Sequence, residues 1–255
     1  AGAIEFGGHK VLTLPHKNGK ITAEQIEKLL CDYANDANRD HMVMPGMAYL
    51  SQPTEYGTLY SRAELTQISA VCRAHHILLY IDGARLAYAL ACPENDVSLA
   101  DLAALCDAFY IGGTKCGALF GEAVVLPRPG LIPHFFTIIK QHGALLAKGR
   151  LLGIQFDTLF TDGLYEKLGA PAMAAADHIR AALRECGYTL CFDSPTNQVF
   201  CILDNDTMAR LAQKVDFGFW EKYDDTHTIV RFATSWATDM DDVKLLKDAL
   251  RDARQ

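Results

Sequence analysis

The chain has 255 residues, half of them hydrophobic, so it is long enough to bury a large core. Its formal net charge of −7 argues against nucleic acid or an anionic membrane as the principal partner. No stretch reaches the roughly 18 consecutive apolar residues of a membrane helix, and the N-terminal residues lack the pattern of a signal peptide. Eight cysteines without a CxxC spacing predict neither a disulfide framework nor a metal site. We therefore expect a cytoplasmic protein with reduced, mostly buried cysteines.

The predicted elements of the first half alternate between strands and helices. Thr22 with Gln25 three residues later is typical of a helix N-cap. In chain order we predict strand Val11–Leu14, helix Ile26–Tyr33, strand Met42–Leu50, helix Ser61–His75, strand Ile77–Ile81, helices Arg85–Ala91 and Leu99–Leu105, and strands Ala108–Gly112 and Gly121–Leu126. Alternation of this kind predicts an α/β fold with a doubly wound, mostly parallel sheet.

The second half has a different order of elements. We predict helices Ile132–Lys140, Leu145–Phe160 and Ala172–Cys186, then strands Tyr188–Phe192 and Gln198–Leu203, helix Thr207–Gln213, strand Thr228–Ala233 and helix Met240–Arg254. This order indicates a small α+β domain. The predicted boundaries are residues 1–168 for the large domain and 169–255 for the small C-terminal domain.

Two charged side chains follow apolar strands that end on small residues. Asp82 comes at the end of Leu78–Ile81, and Lys115 follows Tyr110–Gly113. The number of residues between them fits two parallel strands joined by a crossover connection. Both side chains are therefore expected in one crevice at the carboxyl ends of the strands. A carboxylate that pairs with a pyridinium nitrogen, beside a lysine that binds an aldehyde, is what pyridoxal phosphate (PLP) chemistry requires. Asp82 as the N-cap of the following helix is the structural alternative.

Further polar residues extend this predicted site. Ala84 is small enough to support one face of a ring, and Arg85 is suited to the ring oxygen or a substrate carboxylate. Thr114 offers a hydroxyl to a phosphate. Arg231 lies within the apolar strand Thr228–Ala233 and therefore needs a partner, either a substrate α-carboxylate or a structural ion pair.

Four motifs, taken in order, resemble the threonine aldolase and β-eliminating lyase family of fold-type I PLP enzymes. They are Asp82–Arg85, Thr114-Lys115 (Ser-Lys in most members), Ser194–Asn197 and Val230–Trp236. The resemblance implies an aspartate-aminotransferase-like large domain and PLP held covalently by Lys115. It further implies that Asp82 pairs with the pyridine nitrogen, that Arg231 binds the substrate carboxylate, and that Lys140 matches a basic position near the phosphate. A homodimer or homotetramer, with active sites at a subunit boundary, is also implied.

The sequence departs from the family pattern in two places. Members carry a further segment, with a phosphate-binding turn and a ring-stacking side chain, before the point that matches Ala1, so the resemblance implies a fragment. In addition, Thr54-Glu55 occupies the region where threonine aldolases place a Thr-His pair near the β-hydroxyl. A general base at this place needs a pKa near neutrality, and a glutamate has one only where its surroundings raise its pKa. The glutamate therefore argues against threonine itself as the substrate.

The sequence leaves three classes of function open. The first is a PLP lyase that acts on a β-substituted or β-hydroxy amino acid by Cα–Cβ cleavage or β-elimination. The second is an aminotransferase or decarboxylase on the same fold, and the third is a non-catalytic scaffold. A nicotinamide-dependent dehydrogenase is disfavoured because no GxGxxG follows a strand.

Overall fold

The computed structural model of the protein describes residues 2–254. Its α-helices are α1 (Ala3–Phe6), α2 (Ala23–Asn35), α3 (Arg62–Ala74), α4 (Leu86–Leu90), α5 (Leu99–Leu105), α6 (Phe135–Gln141), α7 (Arg150–Phe160), α8 (Leu164–Lys167), α9 (Gly169–Glu185), α10 (Asn205–Leu211) and α11 (Met240–Ala253). Its strands are β1 (Met47–Ser51), β2 (Leu78–Gly83), β3 (Ala108–Ile111), β4 (Ala123–Val125), β5 (Thr189–Leu190), β6 (Gln198–Asp204), β7 (Gly218–Lys222) and β8 (His227–Ala233).

The strands of residues 2–254 form two four-stranded sheets. The first has the order β1-β2-β3-β4, with β1, β2 and β3 parallel and β4 antiparallel to β3. The second has the order β5-β6-β8-β7 and is antiparallel throughout. This confirms the predicted α/β class, with a mostly parallel sheet followed by an α+β arrangement.

Capping residues fix where the helices that flank the first sheet begin. Thr22 and Gln25 form a complete capping box at the start of α2, as the sequence predicted, and Ser61 with Glu64 forms another at α3. Helix α3 buries Leu65 among its core residues and packs against β2. These caps therefore anchor the helix that leads directly into the strand carrying Asp82.

Each sheet has its own hydrophobic core. One cluster contains the buried side chains between residues 23 and 165, and a second contains those between residues 175 and 253. A small third cluster joins Tyr88 and Cys92 of the first part to Ala172 and Met173 of α9. Close packing at Gly169, where an added Cβ would lie 2.6 Å from the Cβ of Ala91, brings the two parts together.

Three sequence predictions of structure were wrong. Val11–Leu14 forms no strand, since Val11 and Leu12 are exposed and have no sheet beside them. Residues 42–46 lie outside β1, and β7 was not predicted, because its five residues begin with glycine and end with the exposed pair Glu221-Lys222. Among the described residues no cysteine is in a disulfide, and five of the eight are buried. No helix in that range is long and apolar enough to cross a membrane.

Candidate active site

The carboxyl ends of the parallel strands bring the predicted charged residues to one edge of the first sheet. Ser51 of β1 pairs with Asp82 of β2, which in turn pairs with Tyr110 of β3. Lys115 lies in the 3₁₀ turn Thr114–Cys116, shortly after β3 ends. Ligands of parallel α/β sheets bind at this edge, so the topology supports a site here.

Asp82 is held by two hydrogen bonds. Its Oδ1 accepts from the backbone N–H of Ala84 at 2.9 Å, and its Oδ2 accepts from the Tyr49 hydroxyl at 2.5 Å. The N-cap of α4 is Arg85, so Asp82 does not cap the following helix. Burial, followed by the hydrogen bond to Asp82, raises the pKa of Tyr49, which keeps that hydroxyl a donor.

The turn that carries Lys115 is fixed by hydrogen bonds to its backbone. The buried Tyr88 hydroxyl donates to the Lys115 carbonyl, and the Tyr165 hydroxyl donates to the Gly112 carbonyl at 2.8 Å. Glu122 accepts from the N–H of Gly113 and, at 2.6 Å, from the Thr114 hydroxyl. An added Cβ at Gly112 would collide with the Ala84 carbonyl, so this glycine allows the Asp82 and Lys115 loops to approach each other.

The surroundings of Lys115 favour its neutral amine. Much of the side chain is exposed, but partial burial by neighbouring protein, followed by the positive charge of Arg85, lowers its pKa. Glu55, Asp82 and Glu122 are close enough to oppose this shift. A lowered lysine pKa increases the fraction of the nucleophilic, unprotonated amine at neutral pH.

Two arginines converge on the carboxylate of Glu55. The Arg85 Nη1 lies 3.1 Å from one Glu55 oxygen, and the Arg231 Nη1 lies 3.9 Å from the other. Both guanidinium groups are largely shielded, with side-chain exposures of 14% and 26%, whereas Glu55 is exposed at 57%. Arg85 and Arg231 thus form a site for a carboxylate, which we call the arginine cradle. The exposed side chain of Glu55 occupies it.

Arg231 is oriented by contacts within the second sheet. Its Nη1 donates to the Gln198 Oε1 at 3.0 Å, and its guanidinium lies 5.4 Å from the centre of the Trp220 ring. Burial, followed by the positive charge of Arg85, lowers the pKa of Arg231, while Glu55 opposes the shift. Gln198 is fully buried and also donates to the Thr54 carbonyl at 3.4 Å, so it joins the cradle to the loop that carries Glu55.

The remaining predicted residues lie in three different settings. Thr54 is buried, and its hydroxyl is hydrogen-bonded to the Thr58 hydroxyl at 2.7 Å, so this side chain shapes the Glu55 loop. Ala84 is half-buried beside Asp82. Lys140 is exposed on α6 and has no ion-pair partner among residues 2–254. No described hydrogen bond or ion pair connects it with the residues at the sheet edge.

Sequence reasoning missed four residues that support this site. Tyr49, Glu122, Gln198 and Trp220 each contact a predicted residue directly. Gln198 carried a usable signal, because it is a polar residue at the start of an otherwise apolar strand. The contacts of the other three became visible only in the fold.

Residues 1–206 match the family model described as beta-eliminating lyase. The chain belongs to this family. A curated relative, the low specificity L-threonine aldolase of Pseudomonas sp. (strain NCIMB 10558), is 30% identical over 260 residues, which cover 98% of this chain and 71% of the relative. The family and its named relatives are PLP-dependent lyases, so the chain is assigned to that class of enzyme.

Solved structures agree with this assignment. Threonine aldolase from Leishmania major is 45% identical and superposes with a TM-score of 0.92, covering 98% of this chain and 72% of that one. Serine palmitoyltransferase from S. paucimobilis, solved with a bound PLP–myriocin adduct, is 14% identical with a TM-score of 0.60 over 91% of this chain and 58% of that one. The second likeness shows the fold alone, which is that of fold-type I PLP enzymes.

Proposed function

We propose that this protein cleaves the Cα–Cβ bond of β-hydroxy amino acids with PLP held at Lys115. The observation that carries the proposal is the arginine cradle beside the lysine of lowered pKa. An α-amino acid offers a carboxylate for two guanidinium groups and an amino group next to it. The name of the Pseudomonas relative supports threonine-like substrates.

The residues at the sheet edge fit PLP by the chemistry of their side chains. Asp82 supplies a carboxylate for the ring nitrogen, Ala84 a small contact for the ring face, and Lys115 an amine for the aldehyde. Thr114 supplies a hydroxyl for the phosphate, and this hydroxyl must then leave Glu122. Lys140, on α6 and without a described contact to the sheet edge, is proposed as a cation for the phosphate from the family resemblance alone. When bound, PLP supplies an aromatic system that accepts electrons from the bond that breaks.

The chain's own side chains orient the substrate. Arg231, steadied by Gln198, binds the α-carboxylate, and Arg85 either joins it or contacts the ring oxygen. The incoming carboxylate replaces that of Glu55 in the arginine cradle. Glu55 is then free to accept a hydrogen bond or a proton from the substrate's β-hydroxyl. The name of the Pseudomonas relative, rather than the Glu55 side chain, is what favours threonine-like substrates over the sequence-based argument against them.

Products distinguish this proposal from its alternatives. We expect the purified protein with added PLP to release glycine and an aldehyde from L-threonine and L-allo-threonine. Release of ammonia and a 2-oxo acid from the same substrates would identify elimination, and transfer of the amino group to an added 2-oxo acid would identify an aminotransferase. Either result without aldehyde release contradicts the proposal, and absence of all three reactions favours a scaffold.

Arg231→Lys should raise KM for the amino acid by about 10- to 100-fold, with a smaller effect on kcat. The reason is that lysine keeps the charge but loses the planar two-point contact, and a hydrogen bond to a charged group contributes about 1.5–3 kcal/mol. Steady-state kinetics with L-threonine measure the change. Arg251→Lys, which alters an exposed pair with Asp248, is the matched control. Equal KM values for both variants would remove Arg231 from the substrate site.

Three further features are part of the proposal. The domain boundaries at residues 1–168 and 169–255 are supported by the two separate hydrophobic clusters. A homodimer or homotetramer is proposed from the family resemblance, and cytoplasmic location from the unpaired cysteines. Exposed apolar side chains such as Phe136, Leu151 and Ile154, on α6 and α7, are suitable for a subunit contact.

A further inference from the structure

A second group of reactive side chains lies away from the sheet edge, between α2 and α3. Glu27 and Cys31 are one helical turn apart on α2, and His75 is the C-cap residue of α3. One potential ligand atom from each of the three lies within 4.8 Å of the others. The Glu27 Oε1 is 2.9 Å from the His75 Nε2 and 3.6 Å from the Cys31 Sγ.

These separations are those of ligands around a tetrahedral zinc ion. With Zn–N and Zn–O distances of about 2.0 Å and a Zn–S distance of about 2.3 Å, tetrahedral geometry places O and N about 3.3 Å apart and O and S about 3.5 Å apart. The two distances from the Glu27 oxygen differ from these by a few tenths of an ångström. The thiol sulfur and an imidazole nitrogen lie within 4.8 Å of each other, so side-chain rotation brings the three donors around an ion.

The three side chains are carried by rigid elements. Both helices begin with complete capping boxes, and His75 donates its backbone N–H to the Val71 carbonyl at 3.1 Å. Ile26 of α2 and Ile68 of α3 are buried in the same core cluster. A site held on packed helices loses little conformational freedom when an ion binds.

We propose that Glu27, Cys31 and His75 bind a divalent cation of borderline softness, with zinc as the occupant. A thiolate, an imidazole and a carboxylate form a donor set that suits zinc and disfavours magnesium and calcium. On binding, the thiol gives its proton to solvent and the sulfur bonds to the ion. The carboxylate and the neutral imidazole donate lone pairs, and water completes the fourth position. The ion would fasten α2 to α3, independently of the PLP chemistry proposed above.

The sequence did not predict this site, because it has no CxxC and His75 is far along the chain from Cys31. The simpler alternative is the hydrogen bond that Glu27 and His75 already form. In that alternative the Cys31 thiol only donates a hydrogen bond to Glu27 and binds no ion. Replacement of Cys31 therefore separates the two explanations.

The test is zinc binding to the PLP-loaded protein, compared with its Cys31→Ser variant. Isothermal titration calorimetry should give one zinc ion per chain for the parent, and affinity at least tenfold lower for Cys31→Ser. Zinc at 100 times its Kd should raise the parent's melting temperature by roughly 5–10 °C. Cobalt(II) should develop the visible bands of a tetrahedral site with thiolate coordination. Cys186→Ser, another half-buried cysteine remote from the cluster, is the matched control and should bind zinc as the parent does.

Two results would overturn the proposal. One is failure of the parent to bind zinc, and the other is equal affinity in the parent and Cys31→Ser. Glu27→Gln provides a second check, since it keeps the side-chain shape and weakens a carboxylate ligand. Unchanged zinc affinity in Glu27→Gln would likewise count against the assigned ligand set.

Discussion

Replacing Lys115 with alanine is expected to abolish the yellow absorption of covalently held PLP and to lower kcat by about 10⁴-fold or more, the scale seen when a covalent nucleophile is removed. Alanine has no amine to bind the aldehyde. The Lys115 side chain is exposed, and the hydrogen bond from Tyr88 goes to its backbone carbonyl, which alanine keeps. The substitution should therefore leave the fold intact. Visible absorbance, aldehyde release and thermal unfolding measure the three expectations.

Lys244→Ala is the matched control for this experiment. Lys244 is an exposed residue of α11 paired with Asp241, and its loss should alter neither colour nor turnover. Borohydride reduction of the parent followed by peptide mapping identifies the modified lysine independently of kinetics. Modification of a different lysine, or turnover retained in Lys115→Ala, would contradict the assignment.

The sequence predicted that Asp82 and the Lys115 turn follow neighbouring parallel strands, because its signals for those strands were local. Asp82 and Lys115 each follow an apolar strand, and the parallel topology then requires both strand ends to lie at one edge. Likewise, Thr22 and Gln25 predicted a helix N-cap through contacts that span only three residues. Local hydrogen bonds and strand order were therefore enough to predict the framework of the site.

The interactions that the sequence did not predict join distant segments. Glu55 and Arg231 were both proposed as substrate contacts, but nothing in their spacing indicated that they approach each other. The close approach of the Asp82 and Lys115 loops at Gly112 was likewise not predicted. The antiparallel direction of β4 was also missed, since an apolar run of three residues has no directional signal.

One consequence of these distant contacts concerns how the two parts of the chain cooperate. The arginine cradle combines Arg85, which lies just after β2 of the first sheet, with Arg231 of β8 in the second. The buried Gln198 contacts both Arg231 and the loop of Glu55, so the relative position of the two sheets sets the geometry of the cradle. Substrate binding should therefore depend on packing between the sheets as well as on the arginines themselves.

Asp82→Asn should lower kcat/KM by roughly 30- to 5,000-fold, the equivalent of the 2–5 kcal/mol lost when one partner of a shielded charge pair is neutralised. Asparagine has nearly the same shape, so its oxygen still accepts from the Ala84 N–H, but it no longer keeps the pyridine nitrogen protonated.

Tyr49→Phe is the informative comparison, because it removes the hydrogen bond at the other carboxylate oxygen while leaving the charge in place. We expect about a tenfold loss from Tyr49→Phe, as for other residues that orient a charged group. If the two variants lose activity equally, the hydrogen bond rather than the charge of Asp82 is what the reaction requires, and the proposed pairing with the ring nitrogen is wrong.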